Sequence, residues 1–116
     1  MIIGAVGIGA MGSPMAQNLV ADGDSVMVYD LDRAKAEAIA GNAITVADSV
    51  AALAGECDLI VSMVSDDAAL RDVVFGPTGI LQTPSFEGCF ADLSTTSLDL
   101  AHEVAAALSK AGIAYV

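Results

Sequence analysis

Short apolar runs alternate with amphipathic segments along the chain. Ile2 to Val6, Ser25 to Tyr29, residues 43–46, 58–64 and 89–93 are apolar or β-branched runs of strand length. The fourth of these reads Leu-Ile-Val-Ser-Met-Val in its centre, a near-continuous apolar run that suits a strand covered on both faces. Between the runs, apolar residues recur at helical spacing. The pattern predicts helices near residues 11–21, 33–40, from 48 or 49 to 54, from 66 or 67 to 75, and from 94 to 111. Met15, Leu19 and Val20 are expected to share the buried face of the first, and Leu98, Ala101, Ala105 and Leu108 that of the last. Pro14 falls in the first turn of its helix, where a missing N–H costs nothing. Asp32 is a good N-cap for the second helix.

Punctuation agrees with this alternation. A glycine follows each predicted helix: Gly23, Gly41, Gly55, Gly76 and Gly112. Residues 77–88 read as a loop, with Gly79 and Pro84 as breakers and Ile80-Leu81 as a hydrophobic anchor. Residues 113–116 begin a sixth strand. Strands alternating with helices imply a parallel sheet covered on both faces. The expected fold is therefore α/β, a Rossmann-type doubly wound parallel sheet with strand order 3-2-1-4-5-6. The 116 residues are expected to form one domain, 1–116.

The first strand-to-helix turn carries Gly7-Ile8-Gly9-Ala10-Met11-Gly12. A G-x-G-x-x-G in that setting is the dinucleotide-binding fingerprint. Gly7 permits the tight turn, Gly9 lets backbone approach a pyrophosphate, and Gly12 lets helix and strand pack closely. The free N–H groups and positive dipole end of the helix then face the phosphates. The second strand ends at Asp30, 18 residues after Gly12. A carboxylate there can accept hydrogen bonds from the adenosine ribose, or can cap the following turn. Two unit charges about 4 Å apart interact by roughly 4 kcal/mol at an effective dielectric near 20. A 2′-phosphate beside Asp30 would meet that repulsion, strengthened by Asp32, so NAD is expected over NADP. Arg33 acts the other way, since an arginine can hold a 2′-phosphate.

Ligands of such sheets bind beyond the carboxyl ends of the strands, where the strand order switches. That rule brings four stretches to one edge: Gly7 to Gly12; Asp30, Leu31 and Arg33; Met63, Val64 and Ser65; and Ser94-Thr95-Thr96-Ser97. The first two suit the adenosine and pyrophosphate half, and the last two the nicotinamide half. Hydroxyls and N–H groups at residues 94–97 suit a substrate carboxylate. Serine and threonine are also ordinary N-caps, and at least one of the four must cap.

Composition narrows the partners. Fifteen acidic and four basic residues give a net charge of -11. Arg33, Lys35, Arg71 and Lys110 form no run, which argues against nucleic acid or an anionic membrane. No apolar run reaches the roughly 18 residues of a membrane span, and no basic segment precedes the first strand. These features lead to a cytoplasmic expectation. Cys57 and Cys89 are expected to be buried, reduced thiols, and the one histidine, His102, to be a surface or half-buried helical residue. No metal site and no catalytic residue are expected.

With these residues in view, the chain resembles the 3-hydroxyisobutyrate dehydrogenase family of β-hydroxyacid dehydrogenases, nearly end to end. The opening stretch through Ser13-Pro14-Met15-Ala16-Gln17-Asn18-Leu19 is similar to the family's first segment. Val28-Tyr29-Asp30, Val61-Ser62-Met63-Val64-Ser65 and Asp92-Leu93-Ser94-Thr95-Thr96 resemble three others, although the family often has proline at the position of Ser65. The resemblance implies an NAD-binding domain of an oxidoreductase acting on a small 3-hydroxy acid, with Ser94, Thr95 and Thr96 at the substrate and Thr95 also at the nicotinamide. It implies a catalytic lysine on a helix of a second, all-helical domain, a role for which neither Lys35 nor Lys110 has the motif. The chain is thus expected to be a cofactor domain cut at its sixth strand, and to form a homo-oligomer through apolar surface left uncovered. The alternative is a stand-alone nucleotide-binding or sensing module that works through a partner chain. A 6-phosphogluconate-type enzyme is a weaker third reading, because such enzymes usually favour NADP and lack an acid at the Asp30 position.

Overall fold

A computed structural model describes residues 1–8, 12–41, 43–83 and 85–116. The elements alternate: β1 (Ile2–Val6), α1 (Gly12–Ala21), β2 (Ser25–Tyr29), α2 (Arg33–Ile39), β3 (Ile44–Val46), α3 (Val50–Ala54), β4 (Leu59–Ser62), α4 (Asp67–Phe75), β5 (Cys89–Asp92), α5 (Leu98–Lys110) and β6 (Ala114–Tyr115). All strand pairs are parallel, in the order β3-β2-β1-β4-β5-β6. The switch lies at β1, which pairs β2 on one side and β4 on the other.

Each face of the sheet has its own core. Ala5, Val26, Val28 and Ile44 meet Ala16 of α1 and Ala36 of α2 on one face. On the other, Val6, Ile60 and Phe90 meet Leu53 of α3, Leu70 and Val74 of α4, and Leu100, Val104 and Leu108 of α5. The period-2 alternation of β2 shows the division directly. Val26 and Val28 belong to the first core, while Met27 and Tyr29 pack against the second. The doubly wound sheet with helices on both faces is the expected one.

The differences from the expected pattern have local causes. α5 begins at Leu98, because it is Ser97 whose side chain accepts the Leu100 N–H and caps the helix. That leaves residues 94–96 as loop. It also turns Leu98 outward, 72% exposed, so the buried stripe is Leu100, Val104 and Leu108 rather than one through Leu98, Ala101 and Ala105. Among the α1 residues whose burial is described, the fully buried one is Ala16, while Met15, Leu19 and Val20 are only partly covered. α2 ends at Ile39 and its cap Ala40 turns to extended backbone; Gly41 plays no left-handed role there, unlike Gly23 and Gly112. Ser49 rather than Asp48 caps α3. Residues 80–82 form a 3-10 turn whose Ile80 is fully buried, as its anchoring role requires. Pro84, expected as a breaker, lies outside the described residues.

β4 and β5 stop at Ser62 and Asp92; Met63 and Leu93 each donate one last ladder bond, to the Val6 and Ser62 carbonyls, before the chain enters the loops beyond. Both cysteines are free, but only Cys57 is buried; Cys89 is half-buried. Burial, with Asp58 and Glu56 nearby, pushes the Cys57 thiol up to about 11, so it stays protonated at neutral pH. His102 is exposed. Among the described residues no helix is long and apolar enough to cross a membrane. No group of three or more potential metal ligands occurs among them either.

Candidate functional site

The carboxyl ends of β1, β2 and β4 surround a cavity of about 200 Å³ at the topological switch. Its wall includes Gly7 and Ile8 after β1, Asp30 and Leu31 after β2, and Met63, Val64 and Ser65 after β4. Lys35 from α2, and Ala69, Asp72 and Val73 from α4, complete it.

Gly7 is where the chain turns out of the sheet. Its φ is +91°, a backbone that side chains rarely adopt, and its N–H still donates to the Tyr29 carbonyl at 2.9 Å. A Cβ there would strike the Met63 carbonyl oxygen. The glycine thus serves both the turn and the close approach of the loop after β4. Ile8 then points back into the smaller core, 6% exposed. Gly9, Ala10 and Met11 lie outside the described residues, and α1 starts at Gly12.

Asp30 ties the first two loops together. The Ile8 N–H donates to its Oδ2 at 2.6 Å, and the Asp32 N–H donates to its Oδ1 at 2.9 Å. The capping and ribose readings are compatible, because each carboxylate oxygen keeps a second lone pair for a ligand hydroxyl. Leu31 stands on the rim, 78% exposed, an apolar surface for a flat ligand ring.

Arg33 is engaged elsewhere. Its Nε donates to Glu37 Oε1 at 2.8 Å and its Nη1 to Asp48 Oδ1 at 2.7 Å. These partners, Asp48 foremost, hold the guanidinium above its ordinary pKa. Arg33 is not part of the cavity wall, and Lys35 is the cation that faces it. A helical offset of two residues separates these side chains by roughly 200°, and nothing in the spacing says which one turns inward.

Ser94, Thr95 and Thr96 also lie outside the wall of this cavity and form the loop after β5. They are nonetheless joined to it. Ser94 Oγ accepts the Val64 N–H at 2.8 Å, so the β5 loop is bonded to the β4 loop that lines the cavity. Further out, the Ser97 N–H donates to Asp67 Oδ1 at 2.8 Å, and hydrogen bonding from Ser97 lowers the Asp67 pKa. The bidentate pair Arg71–Glu103, at 3.0 and 2.7 Å, joins α4 to α5 behind these loops.

A glycine turn at the switch of a doubly wound sheet, with a carboxylate at the end of β2, defines a dinucleotide-binding domain. The chain belongs to the family described as the NAD binding domain of 6-phosphogluconate dehydrogenase, whose family model matches residues 2–116. It is a nicotinamide-dinucleotide-binding domain of the oxidoreductase group that also includes the 3-hydroxyisobutyrate dehydrogenases. Among similar proteins is the "uncharacterized oxidoreductase YfjR" of Bacillus subtilis, 30% identical over 97% of this chain and 39% of its own length. The human "cytokine-like nuclear factor N-PAC" is 32% identical over 95% of this chain and 20% of its own. Among solved structures, the 3-hydroxyisobutyrate dehydrogenase of Mycobacterium tuberculosis superposes with a TM-score of 0.84. It is 26% identical over 98% of this chain and 38% of its own. This chain therefore spans about two-fifths or less of these relatives.

The two bonds at Asp30 bear on stability. Asparagine offers one acceptor oxygen and sets an N–H₂ against the second donor. Asp30→Asn should therefore cost about 1–3 kcal/mol, the scale of an unsatisfied, partly buried donor. Urea unfolding of the two proteins measures this; equal stabilities would mean that the Ile8 and Asp32 bonds do not hold the loop.

Proposed function

We propose that this chain is the NAD-binding domain of an oxidoreductase that transfers hydride between the nicotinamide and a small 3-hydroxy acid such as 3-hydroxyisobutyrate. The observation that carries the proposal is the Asp30 carboxylate on the wall of the switch-point cavity, beside an exposed Leu31. On this reading Asp30 accepts from the adenosine ribose and Leu31 packs on the adenine. The Gly7 to Gly12 turn, with Ile8, Gly9, Ala10 and Met11, holds the pyrophosphate. Met63, Val64 and Ser65 pass along the cofactor, and Thr95 reaches the nicotinamide. Ser94, Thr95 and Thr96 orient the substrate carboxylate with their hydroxyls and N–H groups. Bound nicotinamide supplies the hydride acceptor.

Neither lysine near these elements suits the proton transfer. Lys35 lies beside Asp30 and Leu31, at the proposed adenosine end. Lys110 closes α5, about 20 Å along the helix from its start. The proton falls to a lysine of a further, helical domain, as the resemblance implies. Arg33, held by Glu37 and Asp48, contributes to cofactor choice only by releasing those partners.

A second reading draws on the human relative, which is named a nuclear factor rather than an oxidoreductase. A module of that kind binds the dinucleotide and acts through a partner chain. Incubating the full-length parent protein with NAD and 3-hydroxyisobutyrate separates the two. Growth of NADH absorbance is expected for the dehydrogenase, and binding without turnover would favour the module.

Cofactor choice rests on Asp30 against Lys35. Calorimetric titration should show tighter binding of NAD than of NADP, by about tenfold or more if a repulsion of roughly 1.4 kcal/mol survives solvent screening. Asp30→Ala should narrow that ratio. A ratio that stays fixed would remove Asp30 from the ribose site.

Self-association is the partner proposal. Leu93 and Leu98 are 57% and 72% exposed on either side of residues 94–97, and such apolar surface favours association. Light scattering at high concentration is expected to report a dimer or larger species, and a monomer would count against it.

A further inference from the structure

β4 and β5 end in register, with Ser62 opposite Asp92. Ser62 has no exposed surface, in a strand that otherwise reads Leu59, Ile60, Val61. A hydroxyl buried among such residues is unfavourable unless it is hydrogen-bonded. Its Oγ donates to Asp92 Oδ1 at 2.7 Å. The same oxygen accepts the Ser94 N–H at 3.0 Å. Ser94 Oγ in turn accepts the Val64 N–H at 2.8 Å. The four residues close a circuit from the end of β4, through the loop after β5, back to the loop after β4. The Asp67–Ser97 bond fastens the same two loops further out.

We propose that Asp92 is a positioning residue that builds the nicotinamide end of the site. One carboxylate oxygen, anchored by the buried Ser62 hydroxyl, fixes the backbone of Ser94. Ser94 Oγ then fixes the backbone of Val64. Because Ser94 Oγ accepts from Val64, its own hydrogen remains available to a ligand. The two loops therefore present one preformed surface rather than two independently moving ones, and a ligand that spans them has less ordering to do on binding. This inference rests on the dinucleotide reading above, in which the loops after β4 and β5 meet the nicotinamide half.

The test compares NAD with ADP-ribose, which has the adenosine and pyrophosphate but no nicotinamide. Dissociation constants and thermal stability are measured for wild type, Asp92→Ala, Asp92→Asn and Ser62→Ala. Asp92→Ala should weaken NAD about tenfold, the scale of one misplaced hydrogen-bonded contact, and leave ADP-ribose within about twofold. Asp92→Asn retains an Oδ1 that can accept both bonds, so it should restore NAD binding whatever its stability. Ser62→Ala removes only the anchor, and should shift NAD in the same direction by a smaller factor; it carries the test if Asp92→Ala does not fold. Wild type that binds neither ligand would sink the dinucleotide reading and this inference with it. Wild type that binds both, with variants that weaken both alike or neither, would overturn the positioning role and leave the dinucleotide reading standing. An Asn variant as weak as the Ala variant would place the effect in the charge and overturn it too.

Discussion

At the carboxyl ends of parallel strands the backbone leaves the ladder, and its N–H groups lose their partners where a ligand has to approach. In this chain aspartate side chains take over those donors. Asp30, after β2, accepts from Ile8 in the loop after β1 and from Asp32 in its own loop. Asp92, at the end of β5, accepts from Ser62 and Ser94, and Ser94 extends the connection to Val64. Asp30 joins the loops after β1 and β2, and Asp92 joins the end of β4 to the loop after β5. Charge-assisted bonds thereby hold these loops, beside the buried Val6, Ile8 and Val73 of the cavity wall.

The two aspartates divide the site. Asp30 governs the side of the sheet where β1 and β2 meet, and Asp92 the side where β4 and β5 meet. Between them runs the cavity lined by Gly7, Met63 and Val64. An anionic cofactor would gain nothing from the overall field of a chain with net charge -11. On the proposed reading its phosphates would depend on local backbone donors and on the dipole of α1, while Lys35 is a cation of the cavity wall.

Much of this was legible in advance. The alternation of apolar runs with helical spacing gives the parallel sheet and its strand order, because parallel strands need crossovers and crossovers have one hand. Gly7 and Asp30 were legible as residues of the switch-point edge because a tight turn and a strand-end carboxylate leave local traces. Leu98 was misread for the opposite reason. Four consecutive Ser and Thr residues offered four possible N-caps, and the one used, Ser97, sets the phase of the whole helix. A shift of the start changes which leucines turn inward, and periodicity cannot choose between Leu98 and Leu100 without knowing where the sheet lies.

The dinucleotide-binding class, the sheet order and the loops that reach the switch-point edge follow from the sequence alone, since they depend on short-range patterns of glycine, charge and apolar period. Tertiary structure alone decided which of those residues bond to one another. Lys35 rather than Arg33 faces the cavity, and the double use of Asp30 and the Ser62–Asp92–Ser94–Val64 circuit join positions up to 30 residues apart. Such bonds depend on strand register and on side-chain direction, and neither leaves a trace in the spacing of residues along the chain.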